Sequence, residues 1–339
     1  MGSKKQRHRS KDEIVENVVD EILNVDKKSN LKKEIIYIVI SLTTVLLIVT
    51  FIILGYYYKR KTNNLYKDNM NKIHILNTAV LLNDIVDIDS EENTSKIEKY
   101  NNIDESIKSI KDSYYKNLKA FEDKVAAGQV NYKIAYLTFD DGPYYLTNSV
   151  LNVLSRYNVL ATFFTIGLDK DICYDNRNAS CKDMYLKEAN LGHTVANHTY
   201  SHRIFGGLYS SGEALAYQVK LQEDLIRTRT GNAVKIMRFP GGSGTAGYYG
   251  VKNSAVAQLR SMGYGYVDWT AQDGDGGDPG TPAQAFQTFK NSINERIEVV
   301  LLHDYSTVTY SILPQIIEYL KQNNYVLLPL FYESRMINK

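Results

Sequence analysis

Thr138-Phe139-Asp140-Asp141-Gly142-Pro143 is the stretch that decides the fold, and it ends an apolar run that begins at Ile134. Such a run predicts a buried strand, and the Gly-Pro pair predicts the turn that ends it. Asp140 and Asp141 then stand side by side at the end of a core strand, where two like charges cannot both ionise without compensation. Either a metal ion or an arginine lies beside them, or the residues form a solvated Asp-Asp-Gly turn.

Outward from this stretch, the chain from Lys133 onward alternates between β-rich apolar runs and amphipathic segments. Two of the amphipathic segments, residues 213–229 and 282–296, are predicted helices. The predicted strands are residues 134–139, 160–166, 193–197, 234–239, 264–269, 299–303 and 325–328. This alternation predicts a parallel α/β sheet or barrel, in which functional side chains lie at the carboxyl ends of the strands.

Two histidines directly follow the predicted strand 193–197, in His198-Thr199-Tyr200-Ser201-His202. A spacing of four predicts that both imidazoles lie on one side of a helical turn, where they are able to share a metal ion. Thr199 stands where the H-E-x-x-H metallopeptidases carry a glutamate, which argues against that class. Together with Asp141, the two histidines would form a three-ligand site with an open position for water, as in hydrolytic metal centres.

Arg238 and His303 lie at the ends of two further predicted strands, and each has two interpretations. In Arg238-Phe239-Pro240-Gly241-Gly242-Ser243 the arginine is either incidental to a turn or neutralises and orients Asp140. In the second case the glycine amides are available to hold an oxyanion. His303 ends the apolar run that begins at Val299, and it is either a satisfied core histidine or a functional one.

The ordered segments TFDDGP, HTYSH, RFPGG, the segment from Trp269 to Gly276, and LLHD resemble the five motifs of the polysaccharide deacetylase family. This family is also known as the NodB-homology family or carbohydrate esterase family 4. The resemblance covers the chain from about residue 134 to about residue 330. It implies a distorted (β/α) barrel and metal-dependent removal of acetyl groups from a glycan.

Residue by residue, the resemblance implies that Asp141, His198 and His202 are the metal ligands. It makes Asp140 the general base, with Arg238 holding it in place. Zinc is the expected metal, although cobalt or another divalent ion would suit the same ligands.

The resemblance also implies that His303 is the general acid and that Asp275 holds its ring. Asp275 is aligned with the family's aspartate in preference to Asp268 and Asp273, because Trp269 then falls at the upstream tryptophan common in the family. The implied substrate-binding residues, which would hold the oxyanion or line the groove, are Pro240, Gly241, Leu301 and Trp269.

The chain departs from the family pattern at two glycines. Many members carry a tyrosine where Gly241 stands and a tryptophan where Gly276 stands. The second replacement is expected to widen one wall of the groove, so it leaves the preferred sugar open.

The amino-terminal part of the 339-residue chain predicts a membrane anchor. Residues 35–58 include no charged side chain and would form a helix of roughly 36 Å, which is enough to cross a bilayer core of ~30 Å. No small-x-small cleavage site follows, so the helix is expected to remain attached. Residues 1–34 are then a cytoplasmic tail, and residues 131–339 form an extracellular catalytic domain on a single-pass membrane protein. The net charge of +2 gives no indication of nucleic-acid binding.

Residues 59–130 predict a helical stalk or linker domain, because apolar residues recur every three or four positions towards its end. The alternative is that this helix packs on the catalytic domain as its first layer. Cys173 and Cys181 lie in a polar loop, where a disulfide is plausible outside the cell and free thiols inside it.

Taken together, the sequence predicts a metal-dependent N-deacetylase of cell-wall glycan, with peptidoglycan N-acetylglucosamine as the favoured substrate. The alternatives are an O-deacetylase, a deacetylase of N-acetylmuramic acid or another poly-N-acetylglucosamine, and a glycan-binding module without activity. Nothing in the sequence indicates the oligomeric state.

Overall fold

A computed structural model describes residues 103–167 and 182–339. The predicted tail, the apolar segment 35–58, most of the predicted stalk and both cysteines lie outside these residues. Within the described ranges, none of the helices combines the length and apolar character that crossing a bilayer requires.

Eight helices and eight strands are formed by the described residues. The helices are α1 Ile103–Ala126, α2 Thr147–Arg156, α3 Lys182–Asn190, α4 Gly212–Thr230, α5 Gly242–Tyr248, α6 Lys252–Ser261, α7 Pro282–Ser292 and α8 Thr307–Gln322. The strands are β1 Lys133–Asp140, β2 Thr162–Thr165, β3 Thr194–Asn197, β4 Ile236–Met237, β5 Gly265–Tyr266, β6 Ala271–Gln272, β7 Ile297–His303 and β8 Tyr325–Leu327.

The strands form one parallel sheet in the order β5-β4-β3-β2-β1-β7-β6, and β8 pairs with the start of β1. Strand β1 is central, because it pairs with β2, β7 and β8. The result is a curled parallel half-barrel, consistent with the predicted (β/α) barrel. All seven predicted strands are present, several of them shorter than predicted, but β6 was missed because two residues give no detectable period.

Alternate residues of β1 enter two different core layers, as expected for a strand that is covered on both faces. Ala135, Leu137 and Phe139 pack with α2, α7 and α8 on the outer face. Ile134 and Tyr136 face the inside of the curled sheet with residues of β7 and α1. The apolar run read from the sequence is therefore buried along its whole length.

The carboxyl-terminal part of α1 belongs to the second of these layers. Leu118, Phe121 and Val125 are buried against the inside of the sheet. The Arg296 side chain, at the residue before β7, donates to the Val125 carbonyl at 2.8 Å. This part of the helix is thus the first layer of the domain, as the alternative interpretation predicted.

Glu122 fastens α1 to the sheet through a buried hydrogen-bond network. Its carboxylate accepts from the Tyr136 hydroxyl at 3.0 Å, the Ser334 hydroxyl at 2.6 Å and the Arg335 backbone N–H at 2.9 Å. Glu122 is 0% exposed, so its carboxylate depends on these protein donors and not on solvent. The network therefore joins α1, β1 and the carboxyl terminus of the chain.

We expect Glu122→Ala to lower the free energy of unfolding by about 2–5 kcal/mol, because three donors, two of them buried hydroxyls, lose their acceptor. Urea denaturation followed by circular dichroism measures the change. Glu333→Ala is the matched control, because Glu333 is exposed and its ion pair is with the exposed Lys339; its effect should stay within about 0.5 kcal/mol. Equal effects of the two substitutions would contradict the network.

Candidate metal centre and active site

The predicted site residues meet at the carboxyl edge of the sheet. Asp140 is the last residue of β1 and His303 the last of β7, and the two are directly paired in register. His198 follows the end of β3 and Arg238 follows the end of β4. Parallel strands bring their carboxyl ends to one edge, so residues far apart in sequence converge there.

Asp141, His198 and His202 form a cluster whose candidate ligand atoms all lie within 4.8 Å of one another. The Asp141 Oδ1 atom is 3.5 Å from Nε2 of His198 and 3.3 Å from Nε2 of His202. Ligands at about 2.0–2.1 Å from a tetrahedral zinc ion would be separated by about 3.4 Å. The spacing of the three side chains therefore suits one small divalent cation.

Two further observations fit a cation at this cluster. The Asp141 Oδ1 atom is buried and has no hydrogen-bond partner among the described residues, which leaves an anionic oxygen without compensation. The Nδ1 atom of His198 lies 2.8 Å from the Arg238 carbonyl oxygen, so it carries a proton and donates it. This tautomer leaves the Nε2 lone pair facing Asp141, as a metal ligand requires. Burial, and then the nearby His202, lower the pKa of His198 to about 3, so the ring is neutral.

The predicted helical turn between His198 and His202 is wrong, because these residues form an irregular loop. Asn197 accepts from the backbone N–H of Thr199 through its side-chain oxygen, at 2.9 Å. Asp141, Thr199 and His202 all have positive φ, at 71°, 69° and 52°. Local side-chain to backbone bonds therefore replace the helix, and the two rings still lie with their centroids 4.9 Å apart.

Arg238 is buried beneath the site and contacts residues of both β1 and β2. Its Nη1 atom donates to Asp140 Oδ1 and to Thr138 Oγ1, both at 2.8 Å. Its guanidinium carbon lies 4.3 Å from the centre of the Phe164 ring, and the residue is 0% exposed. The expectation of a cation beside the two aspartates is confirmed, and for Asp140 that cation is the arginine.

The two aspartates have different environments although they are adjacent. Burial raises the pKa of Asp140, and the charge of Arg238 opposes this effect. The second oxygen of Asp140, Oδ2, is 3.6 Å from Nε2 of His198, so the carboxylate borders the candidate metal position. Among the described residues, Asp141 bonds no arginine and instead faces the histidines.

His303 lies on the other side of the cluster, with its Nε2 atom 3.9 Å from Asp141 Oδ2. Its Nδ1 atom is 2.7 Å from Asp275 Oδ1, and its backbone N–H donates to Asp275 Oδ2 at 2.8 Å. Burial lowers the pKa of His303, but the hydrogen bond and charge of Asp275, with Asp140 and Asp141, raise it to about 9. Among the three aspartates considered from the sequence, Asp275 is the one that contacts His303, whereas Asp268 accepts from the backbone N–H of Ser243 at 2.8 Å.

The four predicted substrate-binding residues differ in their exposure and in their contacts. Pro240 is buried and its carbonyl accepts from the Tyr209 hydroxyl at 2.7 Å, whereas Gly241 is exposed with φ 71°. Leu301 is buried in β7. Trp269 is half-buried, and its ring would lie 3.0 Å from a Cβ atom at Gly242, where φ of 82° also makes a larger residue strained.

Gly276 borders the acid side of the centre. A Cβ atom at this position would lie 3.2 Å from Cε1 of His303, and Gly276 is exposed. A side chain at position 276 would therefore lie against the His303 ring, and the effect of this glycine on the width of the groove stays a prediction.

Three residues near the centre were not singled out as site residues from the sequence. The Tyr305 ring lies against His303 with centroids 4.9 Å apart, and Thr309 bonds both Asp273 and Asp275. Thr309 is in the first turn of α8, and nothing in its local sequence points to the site. Asp273 was weighed only as an alternative to Asp275, although an Asp-Gly-Asp run at a strand end was the available signal.

Comparison with known proteins agrees with the resemblance to the polysaccharide deacetylase family. Residues 127–267 match the family described as polysaccharide deacetylase. A peptidoglycan-N-acetylglucosamine deacetylase of Bacillus cereus is 32% identical over 198 residues, which cover 57% of this chain and 67% of that protein.

Two solved structures resemble the domain. The catalytic domain of a peptidoglycan N-acetylglucosamine deacetylase from Eubacterium rectale aligns with a TM-score of 0.55 and 35% identity, over 61% of this chain and 92% of that one. A family 4 carbohydrate esterase from Streptococcus mutans aligns with a TM-score of 0.53 and 28% identity, over 63% and 91%. With the motifs, the fold and the site in agreement, this chain belongs to the polysaccharide deacetylase family and is an enzyme of that type.

Proposed function

We propose that this protein hydrolyses the N-acetyl group of N-acetylglucosamine in peptidoglycan, releases acetate and depends on a divalent metal ion. The observation that carries the proposal is the cluster of Asp141, His198 and His202, with an arginine-paired carboxylate on one side and an aspartate-backed histidine on the other. A base and an acid on opposite sides of an electrophilic centre are what amide hydrolysis near neutral pH needs.

The three clustered residues would hold the cation, for which we propose zinc, with cobalt or another divalent ion as the alternative. When bound, such an ion supplies a Lewis acid that polarises the acetyl carbonyl and makes water more acidic. The donor set of one carboxylate and two imidazoles leaves room for water and substrate.

Asp140 is the proposed general base. Its Oδ1 atom is held by Arg238, and its Oδ2 atom remains directed towards the cluster. The guanidinium keeps the carboxylate in one orientation, so that Oδ2 accepts the proton of the attacking water without rotating.

His303 is the proposed general acid. Asp275 binds its Nδ1 side and leaves Nε2 directed towards Asp141 and the cluster. The raised pKa of His303, to about 9, keeps this ring protonated at neutral pH. It therefore has a proton to give to the departing amine, which is too basic to leave as an anion.

The identity of the sugar rests on the relatives. The Bacillus cereus and Eubacterium rectale proteins are both named for peptidoglycan N-acetylglucosamine. The exposed Gly276 next to His303 gives the groove more width than a tryptophan would allow. O-deacetylation remains the alternative, because the Streptococcus mutans relative is called an esterase. A glycan-binding module without activity would need neither Asp140 nor His303.

We also propose that residues 35–58 anchor the protein in the cell membrane and that the catalytic domain is extracellular. The uncharged apolar run supports the anchor, and a wall substrate supports the outside location. In the described domain, α1 ends next to Arg296, at the amino edge of the sheet. The candidate centre is at the carboxyl edge, so the end of α1 lies at the edge of the sheet away from it.

Acetate release by the full-length chain in detergent tests the function. We expect release from peptidoglycan and N-acetylglucosamine oligomers, loss with a chelator, and recovery when zinc is added back. Acetylated xylan serves as the ester control, and mass spectrometry of the products separates amide from ester cleavage. Release from the ester alone would replace the proposal with O-deacetylation, and no release from any of the substrates would favour a binding module.

Asp141→Asn should weaken metal binding by more than about a hundredfold, because it removes an anionic ligand and not merely a supporting hydrogen bond. Competition with a fluorescent zinc chelator measures the affinity. Asp224→Asn is the control, because Asp224 is an exposed partner of Lys220 on α4. Unchanged metal affinity in the Asp141 variant would place the metal elsewhere.

His303→Ala should keep its metal and lose kcat by roughly 10²–10⁴-fold, because only the proton donor is removed. Metal content and steady-state kinetics are measured on the same preparation. A variant that loses its metal would make His303 a ligand, and one that stays fully active would assign the acid to another residue.

A further inference from the structure

Behind the proposed acid, the Thr309 hydroxyl lies between two buried carboxyl groups. Its Oγ1 atom is 2.7 Å from Asp273 Oδ2 and 2.6 Å from Asp275 Oδ2. Thr309 and Asp273 are 0% exposed and Asp275 is 5% exposed, so solvent does not supply the missing partners. The hydroxyl and the two carboxyl groups must therefore satisfy one another's hydrogen-bonding capacity at these contacts.

The number of protons in this arrangement is fixed by the chemistry of a hydroxyl. Thr309 carries one hydroxyl proton, so it donates to only one of the two carboxyl oxygens. The carboxyl oxygen that does not accept this proton is also within hydrogen-bond distance of Thr309. If its carboxyl group were ionised, this oxygen would face a lone pair of the hydroxyl with no proton between them. Since both contacts are short and buried, one of the two carboxyl groups carries a proton and donates it to Thr309.

The remaining contacts show which group holds that proton. Both oxygens of Asp275 already accept N–H groups of His303, the ring Nδ1–H on Oδ1 and the backbone N–H on Oδ2. Asp273 accepts one N–H, that of Asp275, on Oδ1, and its Oδ2 faces Thr309. Two N–H donors favour the anion at Asp275, whereas Oδ2 of Asp273 is free to carry a proton. In agreement with this assignment, burial and then the charge of Asp275 raise the pKa of Asp273 to about 7.

We propose that Asp273 is a positioning residue that acts as a neutral carboxylic acid, and that it fixes the Asp275 carboxylate behind His303 through Thr309. Asp273 donates to Thr309, Thr309 donates to Asp275, and Asp275 accepts from the His303 ring. Every donor in this chain points towards Asp275, so its carboxylate is held in one orientation. The inference rests on the proposed role of His303, because it explains how the ring of that residue is held.

Asparagine tests the protonation state because it copies the neutral acid. In Asp273→Asn, the amide nitrogen donates to Thr309 and the amide oxygen still accepts from the Asp275 N–H. We therefore expect this variant to keep at least about half of the wild-type kcat. Asp273→Ala and Thr309→Val break the chain of donors and should lower kcat by roughly 10- to 100-fold with KM nearly unchanged. Thr309→Ser keeps the hydroxyl and should restore kcat to near the wild-type value.

Infrared difference spectroscopy provides a readout that does not depend on activity. Wild type minus Asp273→Asn at pH 6 should show the carbonyl stretch of one protonated, buried carboxylic acid. A difference spectrum with an ionised carboxylate and no such band would overturn the proposal. If the wild-type enzyme released no acetate, the proposed function would fail, while the infrared result would still report the state of Asp273.

Thermal denaturation and metal content are measured for every variant. Loss of kcat in Asp273→Asn equal to that in Asp273→Ala would show that the charge of Asp273 is needed and would contradict the neutral acid. Wild-type kinetics in Thr309→Val would remove the positioning role. If Thr309→Val does not fold, the comparison of the asparagine variant with wild type and the infrared spectrum decide the question.

Discussion

The ion pair between Arg238 and Asp140 is the interaction on which the rest of the site depends. Both side chains are almost fully buried, and moving either charge alone into the protein interior would be strongly unfavourable. Thr138 and two backbone carbonyls, of Val267 and Asp268, accept three further guanidinium N–H groups. Because four of its five N–H groups are bonded in this way, the arginine acts as a fixed cation inside the curled sheet.

The same arginine also orients the candidate metal ligands through its backbone. Its carbonyl accepts from His198 Nδ1, and its backbone N–H donates to the carbonyl of Asn197. The side chain of Arg238 therefore holds Asp140, the proposed base, while its main chain selects the tautomer of His198, a candidate metal ligand. The short strand β4 is sufficient for this purpose, because register with β3 places Arg238 beside His198.

The sequence predicted those parts of the structure that depend on local pattern or on residue type. The run before Asp140 had to be a buried strand, and a charge had to lie near two adjacent acids; both expectations are confirmed. The conformation between His198 and His202 was mispredicted, because a spacing of four is compatible with a helix but does not require one. The actual loop depends on Thr199 and His202 at positive φ, which side-chain to backbone bonds stabilise.

Contacts between distant parts of the chain could not be predicted from the sequence pattern. The period of α1 showed that one face is apolar, but it does not say which surface covers that face. The structure places Phe121 against the inside of the sheet and joins Glu122 to Ser334, 212 residues away. Thr309 was missed for the same reason, since an ordinary residue of a helix becomes important only when the fold brings it to Asp275.

Two adjacent aspartates acquire different roles because the backbone turns between them. Asp140 ends β1 in extended conformation and directs its carboxylate to Arg238, whereas Asp141 has φ 71° and faces His198 and His202. A continuous strand would have sent the two side chains to opposite faces of the sheet. The reversal at Asp141 keeps both carboxylates at one edge, and Gly142 permits it, since a side chain there would collide with the Asp304 carboxylate. The Asp-Asp-Gly sequence therefore places the proposed base, Asp140, beside a candidate metal ligand, Asp141, at the end of one strand.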